Sequence, residues 1–310
     1  MKDFFRRLFF AGLFLCVFLS SYSQKQSVWI DADTGNEIDD VFALIRLLNE
    51  PSVSVAGISS AHFNNPDLLV FEKWNQYPMS GISSIDISQQ LNEDIVSQMG
   101  RTDVVCPRGA DRQIGRAWGG FEPRESEAVD RLVSCVKSLR PGEKLDVICL
   151  GAMTNLASAV ILHPEIIPDI RCYLLGAQYN ASSEVWDKNE FNVRNDLNAF
   201  DYLLKNESID LTIMPITTAL PYGFKKNETF ARLPKDIPSH LLLKNRWEET
   251  EPGSMQRVMW DLALVEAYLN PADVKIEDRL VPPENGSRKV KVYISIEADK
   301  LIDDFWKFID

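Results

Sequence analysis

Apolar and polar residues alternate along this chain in blocks of strand length and helix length. Val28 to Ile30 is a short unbroken apolar run of the kind a buried strand shows, and Val41, Leu44, Ile45, Leu47 and Leu48 then recur at helical spacing. Val53 to Ile58 reads as a second strand. A helical pattern covers 67–76, and a helix with a polar entry falls within 81–99. Val104 to Arg112 reads as a strand ending in a Gly turn, 125–139 as an amphipathic helix, and Leu145 to Leu150 as an apolar strand. The turn Gly151 to Asn155 then leads into a helix ending at Leu162, where His163-Pro164 marks the exit. Strands follow at Ile170 to Leu175, Leu211 to Ile216 and Val290 to Ile296. Helices fall between the later strands, one ending at Leu204 and one running from Met259 to Leu269, and Tyr222 to Trp247 reads as a polar connection. No internal repeat or linker interrupts the alternation. Strands alternating with helices predict one α/β domain with a mostly parallel, helix-covered open sheet.

The first strand is followed by the densest chemistry in the chain. Asp31, Asp33, Glu37, Asp39 and Asp40 crowd around Gly35 between the strand and the next helix. A helix N-terminus plus a solvated loop accounts for a lone pair of acids, since the macrodipole favours negative charge there. Five carboxylates at the carboxyl end of a buried strand, where open α/β sheets bind ligands, point instead to a hard cation. An EF-hand loop also starts D-x-D, but it requires Gly at position six and Glu at position twelve, where this chain has Asn36 and Phe42. Asp31-Ala32-Asp33-Thr34 also matches the nucleophile loop of haloacid-dehalogenase-like phosphatases, a reading that the downstream segments must decide. Asn64 and Asn65, just past the second strand, read as turn formers or as substrate contacts.

The start of the chain modifies this picture. Basic residues (Lys2, Arg6, Arg7), an apolar core from Leu8 to Leu19 and small residues before Gln24 make a secretory signal peptide over 1–23. The core is short for a membrane span. The domain is then 24–310, exported to the periplasm or the exterior, with no membrane attachment after cleavage. A formal net charge of −12 without a basic block argues against nucleic acid as a partner. Cys106, Cys135, Cys149 and Cys172 form no C-x-x-C pair and read as buried small hydrophobes, and the three histidines are scattered.

Taken in order, the acidic stretch and four later pieces resemble the nucleoside hydrolase family of N-ribohydrolases. Asp31, Asp33, Gly35, Asp39 and Asp40 follow its D-x-D-x-G…DD motif, and Val105 to Arg112 resembles its strand with a Gly-Ala turn. Gly151 to Asn155 stands where the family has G-P-L-T-N, Glu190-Phe191-Asn192 matches E-F-N, and Trp260-Asp261 stands where it usually has His-Asp. Nothing downstream supplies the phosphatase's phosphate-binding Lys and late acidic pair. The resemblance implies a Ca²⁺ held by Asp33, Asp40, the backbone carbonyl of Thr154 and Asp261. It implies Asp33 as the base that takes a proton from water, and Asp39, Asn64, Glu190 and Asn192 as contacts to the ribose. The substrate would be a small molecule, a nucleoside or another riboside, and the family leaves room for a homo-oligomer.

The chain departs from the family in three places. Asn36-Glu37-Ile38 lengthens the loop before the DD pair by two residues, so Glu37 competes with Asp39 for a ligand role. Trp260 replaces a histidine credited with protonating the leaving base, and it reads either as core or as a stacking surface for an aromatic group. The family's upstream His-Gly segment has no match near Trp118-Gly119-Gly120. The competing functions are hydrolysis of another ribosyl or sugar conjugate, and a catalytically silent sugar- or nucleoside-binding protein.

Overall fold

The computed structural model describes residues 25–63, 83–234 and 236–309. The leader at 1–23, the helical pattern over 67–76, and Asn64 and Asn65 lie outside the described residues. Strand β1 (Gln26–Ala32) runs into the acidic loop, helix α1 (Asp39–Asn49) and strand β2 (Val53–Ser60). Helices α2 (Ser84–Gln98) and α3 (Glu127–Lys137) precede β3 (Leu145–Cys149), α4 (Thr154–Leu162) and β4 (Ile170–Leu175). A small hairpin of β5 (Gln178–Asn180) and β6 (Val185–Asp187) leads to α5 (Phe191–Asn195), α6 (Leu197–Lys205) and β7 (Leu211–Met214). The rest of the chain adds α7 (Ile216–Ala219), β8 (Gly223–Lys225), α8 (Lys226–Arg232), α9 (Pro238–Thr250), β9 (Gln256–Val258) and α10 (Trp260–Leu269). It closes with β10 (Val274–Leu280), β11 (Lys289–Ile296) and α11 (Ala298–Ile309).

Seven strands form one sheet in the order β10-β11-β7-β4-β3-β1-β2. Every neighbouring pair is parallel except β10 with β11. Alternate residues of β1 serve opposite faces, as the pleat dictates. Val28, Ile30 and Ala32 join the core under α1, α10 and α11, while Trp29 joins the core under α3, α4 and α6. From β1 the chain goes to β2 on one side and later to β3 on the other. That reversal opens a crevice at the carboxyl ends of β1 and β3, where α/β sheets bind ligands.

Helix α1 lies deep in the molecule, with every residue from Asp39 to Leu48 buried. Its one cation, Arg46, is also buried and carries three acids. It contacts Glu50 at 2.6 Å, Glu266 of α10 at 2.7 Å and Asp304 of α11 at 3.3 Å. The helix is therefore tied to α10 through charge at this end, and again at its N-terminus, as shown below.

Two expectations need correction, and two elements had none. Val104 to Arg112 is not a ladder strand: Val105 makes an isolated parallel bridge to Gly57, and Pro107, having no N–H, accepts from Ser60 N but cannot donate back. Tyr222 to Trp247 is not a loose connection but carries β8, α8 and most of α9. Helix α9 buries only His240, Leu243, Arg246 and Trp247, too narrow a stripe to show as a period among its charges. Strand β10 and helix α11 escaped the reading; β10 is a half-exposed edge strand with a mostly polar sequence.

Removing the shared cation should leave Glu266 and its neighbours buried without a partner. Arg46→Met should therefore lower the unfolding free energy by about 3–5 kcal/mol in urea titrations. Adding Glu266→Gln should recover part of that loss, and an effect of Arg46→Met no larger than that of an ordinary surface change would show that the acids find other partners.

Candidate active site

The crevice at the β1/β3 switch holds a cavity of about 240 Å³. Residues just past the strand ends line it: Asp33 after β1, Leu150 after β3, Leu175 at the end of β4 and Ile216 after β7. Asn36, Glu37, Asp39 and Asp40 come from the acidic loop and α1, Glu190, Phe191 and Asn192 from α5 and its cap, and Trp260 and Asp261 from α10. Six carboxyl side chains face this space, and no Lys, Arg or His stands among the described residues that line it.

Helices α1 and α10 bring their N-termini together at the cavity. Asp39 and Asp40 occupy the first turn of α1 and Asp261 that of α10, where the helix dipoles favour negative charge. The backbone N–H of Asp261 donates to Asp39 Oδ2 at 3.1 Å and stitches the two ends. Carboxylate oxygens of Asp39, Asp40 and Asp261 all lie within 4.8 Å of one another. That separation is about twice a calcium–oxygen distance of 2.3–2.6 Å, so one ion can reach all three. Asp33 Oδ2, Asp39 Oδ1, Asp40 Oδ1 and Asp261 Oδ1 are buried without a hydrogen-bond partner. Four unpartnered, hard oxygen donors around one space fit a divalent cation of the calcium type.

The electrostatics of the cluster agree. Burial, and then the charge of Asp40, pushes the Asp33 carboxyl well above the usual carboxylate range. Asp40 is pushed well up by burial and then by Asp39 and Glu37, and Asp261 by burial and then by Asp40 and Asp39. Asp39 is raised as well, chiefly by burial. Glu37 is pushed up to about 7 by burial and Asp39, against the pull of Arg257.

Sequence reasoning missed two arginines that hold the acidic loop. Arg246 of α9 donates to the carbonyls of Gly35 at 2.8 Å, Thr34 at 3.2 Å and Glu37 at 3.3 Å. Arg257 of β9 pairs with Glu37 and Glu251, and its guanidinium lies 5.4 Å from the centre of the Trp260 ring. The two-residue extension is thus bound from outside, with Glu37 committed to Arg257 and Asp39 left in the carboxylate triad. In the sequence the two arginines merely flank the acids Glu248, Glu249 and Glu251, and only the fold brings them to the loop after β1.

The remaining site candidates separate by position. Asn192 lines the cavity and its Nδ2 donates to Leu150 O at 2.5 Å and Leu175 O at 3.3 Å, joining the ends of β3 and β4. Glu190 caps α5, accepting from the N–H groups of Asn192 at 3.1 Å and Val193 at 3.0 Å, and also from that of Ala177 at 3.2 Å. Burial raises it to about 7 against these bonds. Thr154 does not line the cavity. Its hydroxyl donates to Asp196 at 2.5 Å and meets His62 Nε2 at 2.8 Å, tying the β3–α4 turn to the start of α6. Asp31 also turns away, accepting from Ser59 Oγ at 2.6 Å and Asn155 Nδ2 at 2.8 Å. Asn155 in turn receives Ala110 N at 2.9 Å, so the Gly109-Ala110 turn braces the floor beneath the site. Trp260 stands at the cavity wall with its indole Nε1 buried and unpartnered. Gly151 permits the closest approach: a Cβ there would lie 2.8 Å from Asp33 Oδ1.

Comparison with known proteins places these features in context. A family model described as inosine-uridine preferring nucleoside hydrolase matches residues 28–301. Probable uridine nucleosidase 2 of Arabidopsis thaliana is 28% identical over 184 residues, covering 57% of this chain and 55% of that protein. The chain spans about half the length of the curated relatives it matches. The solved purine-preferring ribonucleoside hydrolase from Gardnerella vaginalis superposes with a TM-score of 0.62 at 19% identity, over 92% of this chain and 98% of that one. A plant nucleoside hydrolase, PpNRh1, gives a TM-score of 0.66 at 17% identity over the same shares. At these identities the two structures establish the shared fold.

A cluster held apart by its own charge should respond to a cation. Chelation should lower the Tm of the purified protein, and calcium at about a hundred times its Kd should restore about 2.7 kcal/mol of stability. Asp40→Asn should abolish that response while leaving the metal-free protein no less stable, because a repulsion is removed. A Tm indifferent to both chelator and calcium would mean that protonation alone relieves the cluster.

Proposed function

The chain belongs to the inosine-uridine preferring nucleoside hydrolase family, and on that premise we propose that it is a calcium-dependent hydrolase of the N-glycosidic bond of a ribonucleoside or related N-riboside. The observation that carries this reading is the unpartnered Asp33 oxygen beside the triad of Asp39, Asp40 and Asp261 at the cavity floor. Calcium, when bound there, supplies Lewis-acid polarisation of water and anchorage for ribose hydroxyls. Asp40, Asp261 and Asp39 would hold it, with Asp33 close enough to feel their charge.

The chain's own groups then divide the work. Asp33 takes the proton of the attacking water at its free Oδ2, with Gly151 leaving it the space to do so. Asn192 and Glu190 stand on the wall formed by the ends of β3 and β4, each locked by backbone hydrogen bonds, and position the sugar. Such fixed polar groups stabilise the charge that develops as the ring becomes oxocarbenium-like. A silent binding protein has no need of a buried, unpartnered carboxylate next to its sugar site, which favours the catalytic reading. Residues 24–310 would act outside the cytoplasm after removal of the leader read at 1–23.

Free sugar released from a panel of nucleosides by the calcium-loaded protein tests the assignment. Asp33→Asn should cut turnover by about 10²–10⁴-fold, the range of general-base catalysis. Gly151→Ala, which shifts that carboxylate without removing it, should lose about 10²-fold with the fold intact. Near-normal turnover in Asp33→Asn would move the base elsewhere in the cluster.

A further inference from the structure

Among the described residues, no uncommitted group suited to protonate a departing base lines the cavity. All three histidines of the chain are described and all are committed elsewhere. His62 is fully buried against Thr154, and burial pulls it down to about 3. His240 meets the carbonyl of Ile309 at 2.9 Å, and His163 faces Glu165 at 3.3 Å. The two lining acids outside the aspartate cluster are also occupied. Both oxygens of Glu190 accept backbone N–H groups, and Glu37 is paired with Arg257. In place of an acid stands Trp260, a flat ring with a buried, unpartnered N–H that cannot transfer a proton.

The same cavity is strongly anionic. Six carboxyl groups line it without a lining Lys, Arg or His among the described residues, so a single divalent cation leaves it negative. Arg257, 5.4 Å from the centre of the Trp260 ring, is already matched by Glu37 and Glu251. An indole face next to a negative field attracts flat cations through its ring quadrupole.

Resting on the hydrolase reading above, we propose that the preferred substrates are cationic N-ribosylpyridinium compounds, whose leaving group departs neutral and needs no acid. In such a substrate the C1′–N bond breaks with its electron pair passing to the ring nitrogen, which discharges the pyridinium. The water oxygen bonds to C1′ and its proton goes to Asp33, so the products are a neutral pyridine, ribose and one proton. A neutral nucleoside must instead expel an anionic base or find a proton that the described lining residues do not supply. Trp260, on the cavity wall, stacks on the flat cation.

Steady-state kinetics of the calcium-loaded protein on four probes tests this. The probes are 3-carbamoylpyridinium riboside, inosine, uridine and 4-nitrophenyl ribofuranoside, whose leaving group also needs no acid. The kcat/KM for the pyridinium riboside should exceed that for inosine and uridine by about 10²-fold or more, the value of a missing general acid. Trp260→His should narrow that ratio by raising the inosine rate. If 4-nitrophenyl ribofuranoside is cleaved and inosine or uridine is cleaved as well as the pyridinium riboside, the preference is refuted and the hydrolase reading stands. If none of the four is cleaved, the hydrolase reading falls and takes the preference with it.

Discussion

Mutual repulsion among buried carboxylates is the constraint on which the rest of this structure depends. Asp33, Asp39, Asp40 and Asp261 are brought out of water into one small space, each with an oxygen that no protein group satisfies. Isolated buried carboxylates are among the most expensive groups a fold can hold. Two helix N-termini aimed at the cluster offset part of that cost, and a shared cation would complete the compensation. The geometry that makes the cluster costly on its own is the geometry that would make it a receptor for a hard ion.

The surrounding architecture keeps that arrangement from relaxing. Helix α1 cannot withdraw Asp39 and Asp40, because Arg46 pins its far half to Glu266 of α10 and Asp304 of α11. Helix α10 cannot withdraw Asp261, because its own N–H is bound to Asp39. Arg246 and Arg257 hold the extended loop between β1 and α1 by its carbonyls and by Glu37. Both arginines are therefore spent on scaffolding, and no cation lines the cavity among the described residues. Charge balance outside the cavity and charge imbalance inside it are two aspects of one design, and the proposed substrate preference rests on the second.

Local features of the site were legible in the sequence. The D-x-D-x-G…DD stretch carries three of the four clustered carboxylates within one loop and one helix turn, and strand-to-helix patterning located it at a sheet end. Asp261, Glu190 and Asn192 became legible only through the family resemblance, since hundreds of residues separate Asp261 from its neighbours in space. The division of labour within the stretch was not legible: Asp31 shares the motif yet turns away to Ser59 and Asn155. Thr154 matches its motif through its backbone carbonyl, while its side chain serves Asp196. The parallel core strands announced themselves as apolar runs. The polar segments around α9 and β10 did not, because each buries only a thin stripe or a single edge. Pro107 misled in the other direction, interrupting a ladder that the apolar pattern implied.

Terbium, an oxygen-seeking ion close to calcium in size, reports most directly on whether the buried acids form a cation site. Trp260 lines the same cavity as the carboxylate triad and is placed to sensitise the ion's emission. Excitation of tryptophan in the metal-free protein titrated with terbium should give sensitised emission that saturates at one ion per chain. That emission should be displaced by calcium and be lost in Asp40→Asn. Emission that is absent, or that survives both calcium and Asp40→Asn, would contradict the account.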